Sequence, residues 1–276
     1  MADNKSTLLL RVFSAVLGVI VLLSLGYFGG ANGYLIAVCV AIILGIREFS
    51  RMAFKIGNLP QSISHAYWFI CLGFFLGMYL YFKYSLIWFA MANISFIVAS
   101  VWLTRGKITN EQILSALAIG CFGLIYCVLF PFFASRIVGL PEGTQWFIFL
   151  LLVVFFGDIF AYFFGRWLGG PKFMPNISPN KTWSGSFGGL LGSAVAGTVH
   201  ATVTFANISA AQTILFCLIC GFVAQTGDLL MSLIKRVAQV KDSGTLMPGH
   251  GGILDRLDGV FIACPLVYAY ALYVMN

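Results

Sequence analysis

Charged side chains are the scarcest feature of this chain. Asp, Glu, Lys and Arg together make 9% of its 276 residues while 60% are hydrophobic, whereas about a quarter of a soluble domain is charged. That balance excludes a water-soluble globular domain. Polar linkers long enough to separate domains are lacking, as is any fixed-period repeat. The chain therefore reads as one membrane domain over 1–276, with N-terminal helices of unassigned role in 1–145 and the chemistry in 146–276. The seven cysteines all fall in apolar segments, which excludes a disulfide framework, and the Cys217/Cys220 spacing has no second pair to complete a zinc or redox site. The first apolar run lacks a small-residue cleavage site, so it is read as a retained helix and not a removed signal peptide.

What is present in abundance is long apolar runs. Segments such as 12–29 and 146–164 extend 18 residues or more with at most one charge, enough to cross a hydrocarbon core of about 30 Å as helix. The expected class is an all-α polytopic membrane protein of nine spans, at roughly 12–29, 33–46, 65–82, 85–104, 112–133, 146–165, 185–206, 210–234 and 259–275. With the N-terminus in the cytoplasm, 14 of the 16 basic residues fall on the cytoplasmic side and only Lys83 and Arg136 fall outside. This predicts a cell-membrane protein, in a bacterium the inner membrane, whose long inner loops 166–184 and 235–258 face the cytoplasm. The net charge of +7 is assigned to anionic headgroups, not to nucleic acid. Gly185, Gly189, Ser193 and Gly197 recur every four residues and predict a flat ridge for close helix packing, within the chain or, alternatively, in a homodimer. His200, on the same segment, is read as a packing residue.

Acids are few enough that their positions carry information. Asp158 and Asp228 lie within apolar segments, where an ionised carboxylate costs about 2.5 to 3.5 kcal/mol on the insertion scale, so each needs a partner. Asp158 precedes Arg166 by eight residues and Asp228 precedes Lys235 by seven. Both acids therefore sit about 10 to 12 Å from the cytoplasmic ends of parallel helices, at one depth in a polar cavity. The densest polar cluster lies between Ser232 and Gly259 and holds Lys235, Arg236, Lys241, Asp242, His250, Asp255, Arg256 and Asp258. Gly249, Gly251 and Gly252 pack around His250 in a PGHGG run, a composition suited to backbone amides presented to an anion. Asp255 and Asp258 stand one helical turn apart, and hard oxygen ligands of that kind suit Mg²⁺.

The pattern S-x-x-K-R-x-x-x-x-K-D-x-x-x-x-x-P-G-H-G-G-x-x-D-R-x-D is similar to the signature of CDP-diacylglycerol synthases, the phosphatidate cytidylyltransferases, and the chain meets it without a gap. The SPNKT block at 178–182 and the Gly227-Asp228 pair resemble the same family; the motifs cover about 157–259. The resemblance implies CTP plus phosphatidate giving CDP-diacylglycerol and diphosphate, with CTP, phosphatidate and membrane lipid as partners. It implies Mg²⁺, with room for a second metal ion, held by Asp228, Asp255 and Asp258. It implies catalytic roles for Lys235, Lys241, Asp242, His250 and Arg256, and substrate binding by Ser178, Asn180, Lys181, Thr182, Arg236, Gly249, Gly251 and Gly252. His250 is expected to bind phosphate more than to donate a proton. Many members carry acids where this chain has Ser184 and Met231, so no acidic role is assigned there. A lipid transporter or scramblase, or a polyprenol or dolichol-type kinase, would share the intramembrane acids, but the PGHGG and DRxD pattern favours the cytidylyltransferase.

Overall fold

The computed structural model describes residues 2–56, 59–105, 108–206, 208–246 and 251–275, with side chains described from residue 16 onward; Gly249 and His250 fall outside this set. Among the described residues nine α-helices run in chain order: α1 (Ala2–Ile56), α2 (Gln61–Leu80), α3 (Ser85–Leu103), α4 (Asn110–Leu124), α5 (Phe130–Val138), α6 (Gly143–Leu168), α7 (Trp183–Thr204), α8 (Ala210–Val237) and α9 (Leu254–Met275). Two short strands, β1 (Lys172–Met174) and β2 (Ser178–Thr182), lie between α6 and α7.

Local chemistry accounts for several boundaries. Thr109 caps α4 through a capping box with Gln112, accepting from the Gln112 N–H while its own N–H donates to the Gln112 side chain. Pro131 lacks the N–H that would continue the ladder, and the preceding turn widens into a π segment at Ile125–Leu129, with the Phe130 N–H donating to the Ile125 carbonyl. In α1 the chain bends at Gly30 (φ 54°, ψ −135°), a backbone conformation open to glycine. The Tyr34 ring packs against Gly26, although eight residues would span about 12 Å on a straight helix. The loop 166–184 contains an antiparallel hairpin pairing Lys172 with Thr182 and Met174 with Ser178. Its entry is made by Gly169 and Gly170, both at positive φ.

Among the described residues, seven helical segments are long and apolar enough to cross a membrane. The chain is an all-α polytopic membrane protein. Seven differs from the expected nine for two reasons: α1 counts once although the expectation divides it near Gly30, and α7 is too rich in Gly, Ser and Thr to reach the same hydropathy.

Two compact units are present, each built from separated stretches of chain. The first comprises Met1–Leu17, Val38–Phe132 and Ile234–Asp255. Its core is aromatic: Phe54, Tyr67 and Phe96 meet with ring centroids 5.1 to 6.2 Å apart, and the buried Tyr67 hydroxyl donates to the Gly120 carbonyl at 3.2 Å. The second comprises Gly18–Ala37, Phe133–Leu233 and Arg256–Asn276. There α6 and α7 pack so closely that Gly185, Gly189 and Gly192 meet backbone carbonyls of Ala161, Gly157 and Phe156. The buried Ser193 hydroxyl donates to the Val153 carbonyl at 2.8 Å. The small-residue ridge is thus filled from within the chain, and a homodimer would use another face. His200 is a packing residue, 3.1 Å from the Gln145 carbonyl and beside the Phe149 and Phe205 rings.

Candidate active site

In the second unit, the hairpin and the helix it feeds deliver one polar centre. Thr182 ends β2 and caps α7, its hydroxyl accepting from the Gly185 N–H at 3.1 Å. One residue earlier, Lys181 reaches Asp228 on α8, with Nζ 2.8 Å from the carboxylate. The two side chains keep 25% and 38% of their surface accessible, so the pair is open on one side. Gln225, one turn before Asp228, fixes this approach: Ser186 Oγ donates to its side-chain oxygen at 2.6 Å, and its amide donates to the Ser186 carbonyl at 3.0 Å. Asp158 on α6 interacts electrostatically with Asp228, Lys181 and Arg256. An acid in an apolar span is tolerated where such cations face it. Asp258, on the first turns of α9, is buried and accepts from the Gly259 N–H at 2.8 Å.

The first unit holds another centre, at the end of α8 and the start of α9. Lys235 Nζ lies 2.6 Å from Asp255 Oδ1. The other oxygen, Oδ2, accepts from the Ser243 N–H at 2.7 Å, the Ser243 hydroxyl at 2.9 Å and the Gly252 N–H at 3.0 Å. Gly251, at φ +81°, passes so close to the Asp255 and Asp242 side chains that a Cβ would collide with them. Glu48, on α1, is the residue that motif reading misses. It is 7% exposed and accepts from the Ile253 N–H, the Leu254 N–H and the Ser243 hydroxyl at 2.9 to 3.0 Å. The scarcity argument applied to Asp158 and Asp228 would have found it, because Glu48 also stands beside a long apolar run.

The expected site residues therefore divide. Lys181 and Asp228 meet, as do Lys235 and Asp255. Of the expected metal ligands, Asp228 and Asp258 belong to the second unit and Asp255 to the first; among the described residues no three His, Cys, Asp or Glu groups come together to hold an ion. Both Asp255 oxygens accept from nearby donors, and Asp258 accepts from the Gly259 N–H. Thr182 is buried and occupied in capping. Asn180, Arg236, Lys241, Asp242 and Arg256 are exposed, Ser178 is half-buried, and Gly252 is buried against Glu48 and Ser243. Gly249 and His250 lie outside the described residues. Ser184 and Met231 hold no acidic role: Ser184 donates to the Gly169 carbonyl, and Met231 is fully buried.

The sequence profile of the cytidylyltransferase family matches residues 9–274, nearly the whole chain and all of the residues just described. The chain belongs to that family. A protein named phosphatidate cytidylyltransferase from Brucella abortus is 46% identical over 130 residues, covering 47% of this chain and 48% of that protein. Proteins of the same name from Staphylococcus saprophyticus and Rickettsia bellii are 43% identical over 126 residues and 33% identical over 196, the latter match covering 63% of this chain and 84% of that protein. The chain spans about half the length of the Brucella and Staphylococcus relatives it matches.

Proposed function

We propose that this cytidylyltransferase-family member is a phosphatidate cytidylyltransferase, joining CTP and phosphatidate to form CDP-diacylglycerol and release diphosphate. The observation that carries the reading is the Lys181–Asp228 pair, which unites the SPNKT block with the Gly-Asp motif in an accessible polar centre among apolar helices. Relatives named for that activity at 33 to 46% identity support it.

In the proposed reaction a phosphatidate phosphate oxygen attacks the α-phosphorus of CTP as the bond to the β-phosphate oxygen breaks, and diphosphate leaves with that electron pair. The nucleophile is already ionised, so the protein's work is positioning and neutralising charge. Lys181 and Arg256 would hold phosphate oxygens, and Lys235 would exchange part of its hold on Asp255 for a phosphate. His250, Lys241 and Arg236 remain candidate phosphate ligands, and Asn180 and Ser178 candidate nucleotide contacts. Magnesium commonly takes one or two protein carboxylates plus substrate phosphates, and Asp228 beside Asp158 fits that mode. Asp228 would hold the ion, with Asp255 and Asp258 joining only if their present contacts open. When bound, the metal would supply charge neutralisation on the phosphates.

We further propose nine spans with a cytoplasmic N-terminus, counting the two arms of α1 separately and adding α7. The reading rests on the asymmetry of basic residues. CTP would then reach the hairpin and the 238–253 loop from the cytoplasm, and the lipid would enter sideways from the bilayer. Purified protein in detergent, given CTP, Mg²⁺ and phosphatidate, should yield CDP-lipid and diphosphate in equal amounts. Release of a nucleoside diphosphate with a phosphorylated lipid would replace this reading with a kinase, and lipid movement without CTP consumption would replace it with a transporter.

A further inference from the structure

Glu48 has no place in the motifs, yet three donors meet its buried carboxylate. Its carboxylate meets the start of α9, where the first backbone N–H groups have no partner inside the helix. Oε1 accepts from Ile253 and Oε2 from Leu254, at 2.9 and 3.0 Å. A negative group at a helix N-terminus also interacts favourably with the helix dipole. The capping carboxylate therefore comes from α1, far away in sequence, and not from a residue beside the helix.

The same oxygen, Oε2, receives the Ser243 hydroxyl at 2.9 Å, and that hydroxyl lies equally 2.9 Å from Asp255 Oδ2. A hydroxyl has one proton, so it donates to one carboxylate at a time. Ser243 nonetheless stays between them, because its backbone N–H is separately bound to Asp255 at 2.7 Å. Gly244 and Gly252 pack directly on the Glu48 carboxylate, where a Cβ at either position would collide with it. The chain runs on without a break: Glu48 fixes Ser243 and the α9 start, these fix Asp255, and Asp255 holds Lys235.

We propose that Glu48 is a positioning residue for the reaction, acting through Ser243 and the N-terminus of α9 to set the Asp255–Lys235 pair. The role rests on the proposed cytidylyltransferase activity. Glutamine at 48 keeps the shape, but whichever way its amide turns, one of the two backbone N–H groups faces another donor. The start of α9 must then shift, and a shift of about 1 Å in a catalytic group costs about 100-fold in turnover.

The test uses purified, monodisperse Glu48→Gln and Ser243→Ala proteins and two measurements. Hydrogen exchange of the Ser243, Ile253 and Leu254 amides should be faster in Glu48→Gln, with the other helices protected as in the wild type. Turnover per folded molecule should fall by about 100-fold, in kcat and kcat/KM alike, with the KM for CTP little changed, the pattern of a lost transition-state interaction. Ser243→Ala keeps the α9 cap but breaks the bridge to Asp255; it should lose about tenfold, and it decides the matter if Glu48→Gln does not fold. Wild-type kcat per folded molecule in Glu48→Gln, or in Ser243→Ala where only that variant folds, would overturn the role, as would unchanged exchange at the three amides. A wild-type protein that makes no CDP-lipid would overturn the functional reading before any variant is compared, while the exchange data would still report whether Glu48 orders the loop.

Discussion

Lys235 and Asp255 form a close ion pair, Nζ to Oδ1 at 2.6 Å, with 17% and 6% of their side chains exposed. Lys235 and Arg236 are adjacent, but on a helix successive side chains point about 100° apart, and α8 continues through both to Val237. Lys235 turns inward to Asp255, while Arg236 is exposed. Alanine at 235 removes the cation and leaves the Asp255 carboxylate without its charged partner. Lys235→Ala should therefore lower kcat by about 100-fold or more, and Arg236→Ala by less than about tenfold. Steady-state assays of the folded proteins check this; a more damaging Arg236→Ala would put the working face of α8 elsewhere.

The Lys181–Asp228 pair predicts a different signature. Asp228→Asn keeps shape and removes the charge that faces Lys181 and would hold a divalent ion. Protein should still accumulate in the membrane while synthesis falls by about two to three orders of magnitude, and the Mg²⁺ concentration giving half-maximal rate should rise. Chelation with EDTA should abolish turnover in the wild type, and added Mg²⁺ should restore it. Asp228→Asn with wild-type rate and wild-type Mg²⁺ dependence would exclude Asp228 as a metal ligand.

The helical class and most of the helices were legible because runs near 20 apolar residues admit few other structures. The scarcity of acids inside apolar segments singled out Asp158 and Asp228, while Lys181, Lys235 and Asp255 stood out through the polar loops and the motifs they carry. Beyond such groups sequence reading failed where long-range contacts decide. Nothing local to Glu48 announces that its partners are Ser243, Ile253 and Leu254. Nothing local to Asp255 shows that Lys235, Ser243 and Gly252 surround it. The β1–β2 hairpin was hidden because its strands are too short for a two-residue alternation to register.

Gln225 offers a prediction about stability more than chemistry. Its side chain makes two hydrogen bonds to Ser186 at 2.6 and 3.0 Å, tying α7 to α8 one turn from Asp228. Gln225→Leu would leave the Ser186 hydroxyl and carbonyl without these partners, at a cost of about 1 to 3 kcal/mol. Thermal unfolding in detergent should shift downward, and activity should fall too, since Lys181 enters from the strand just before α7. An unshifted melting temperature would mean that these contacts are not made in the membrane-embedded protein.

The proposed orientation can be tested at two exposed positions that avoid the polar centres. Ser243 is unsuited to labelling, being buried between Glu48 and Asp255, but Thr245 lies close by and is exposed. Glu142, between α5 and α6, is exposed as well. The seven native cysteines are buried or half-buried, so the wild-type protein supplies the background for a membrane-impermeant maleimide. Under the nine-span reading Thr245→Cys reacts only when the cytoplasmic face is accessible, as in inverted vesicles, and Glu142→Cys reacts in intact cells whose outer barrier has been opened. Both positions labelling from one side would require an even number of crossings between residues 142 and 245. The nine-span reading has three there, in α6, α7 and α8, so that result would remove one of them. The first to doubt would be α7, whose glycine-rich composition gives the weakest claim to a full crossing.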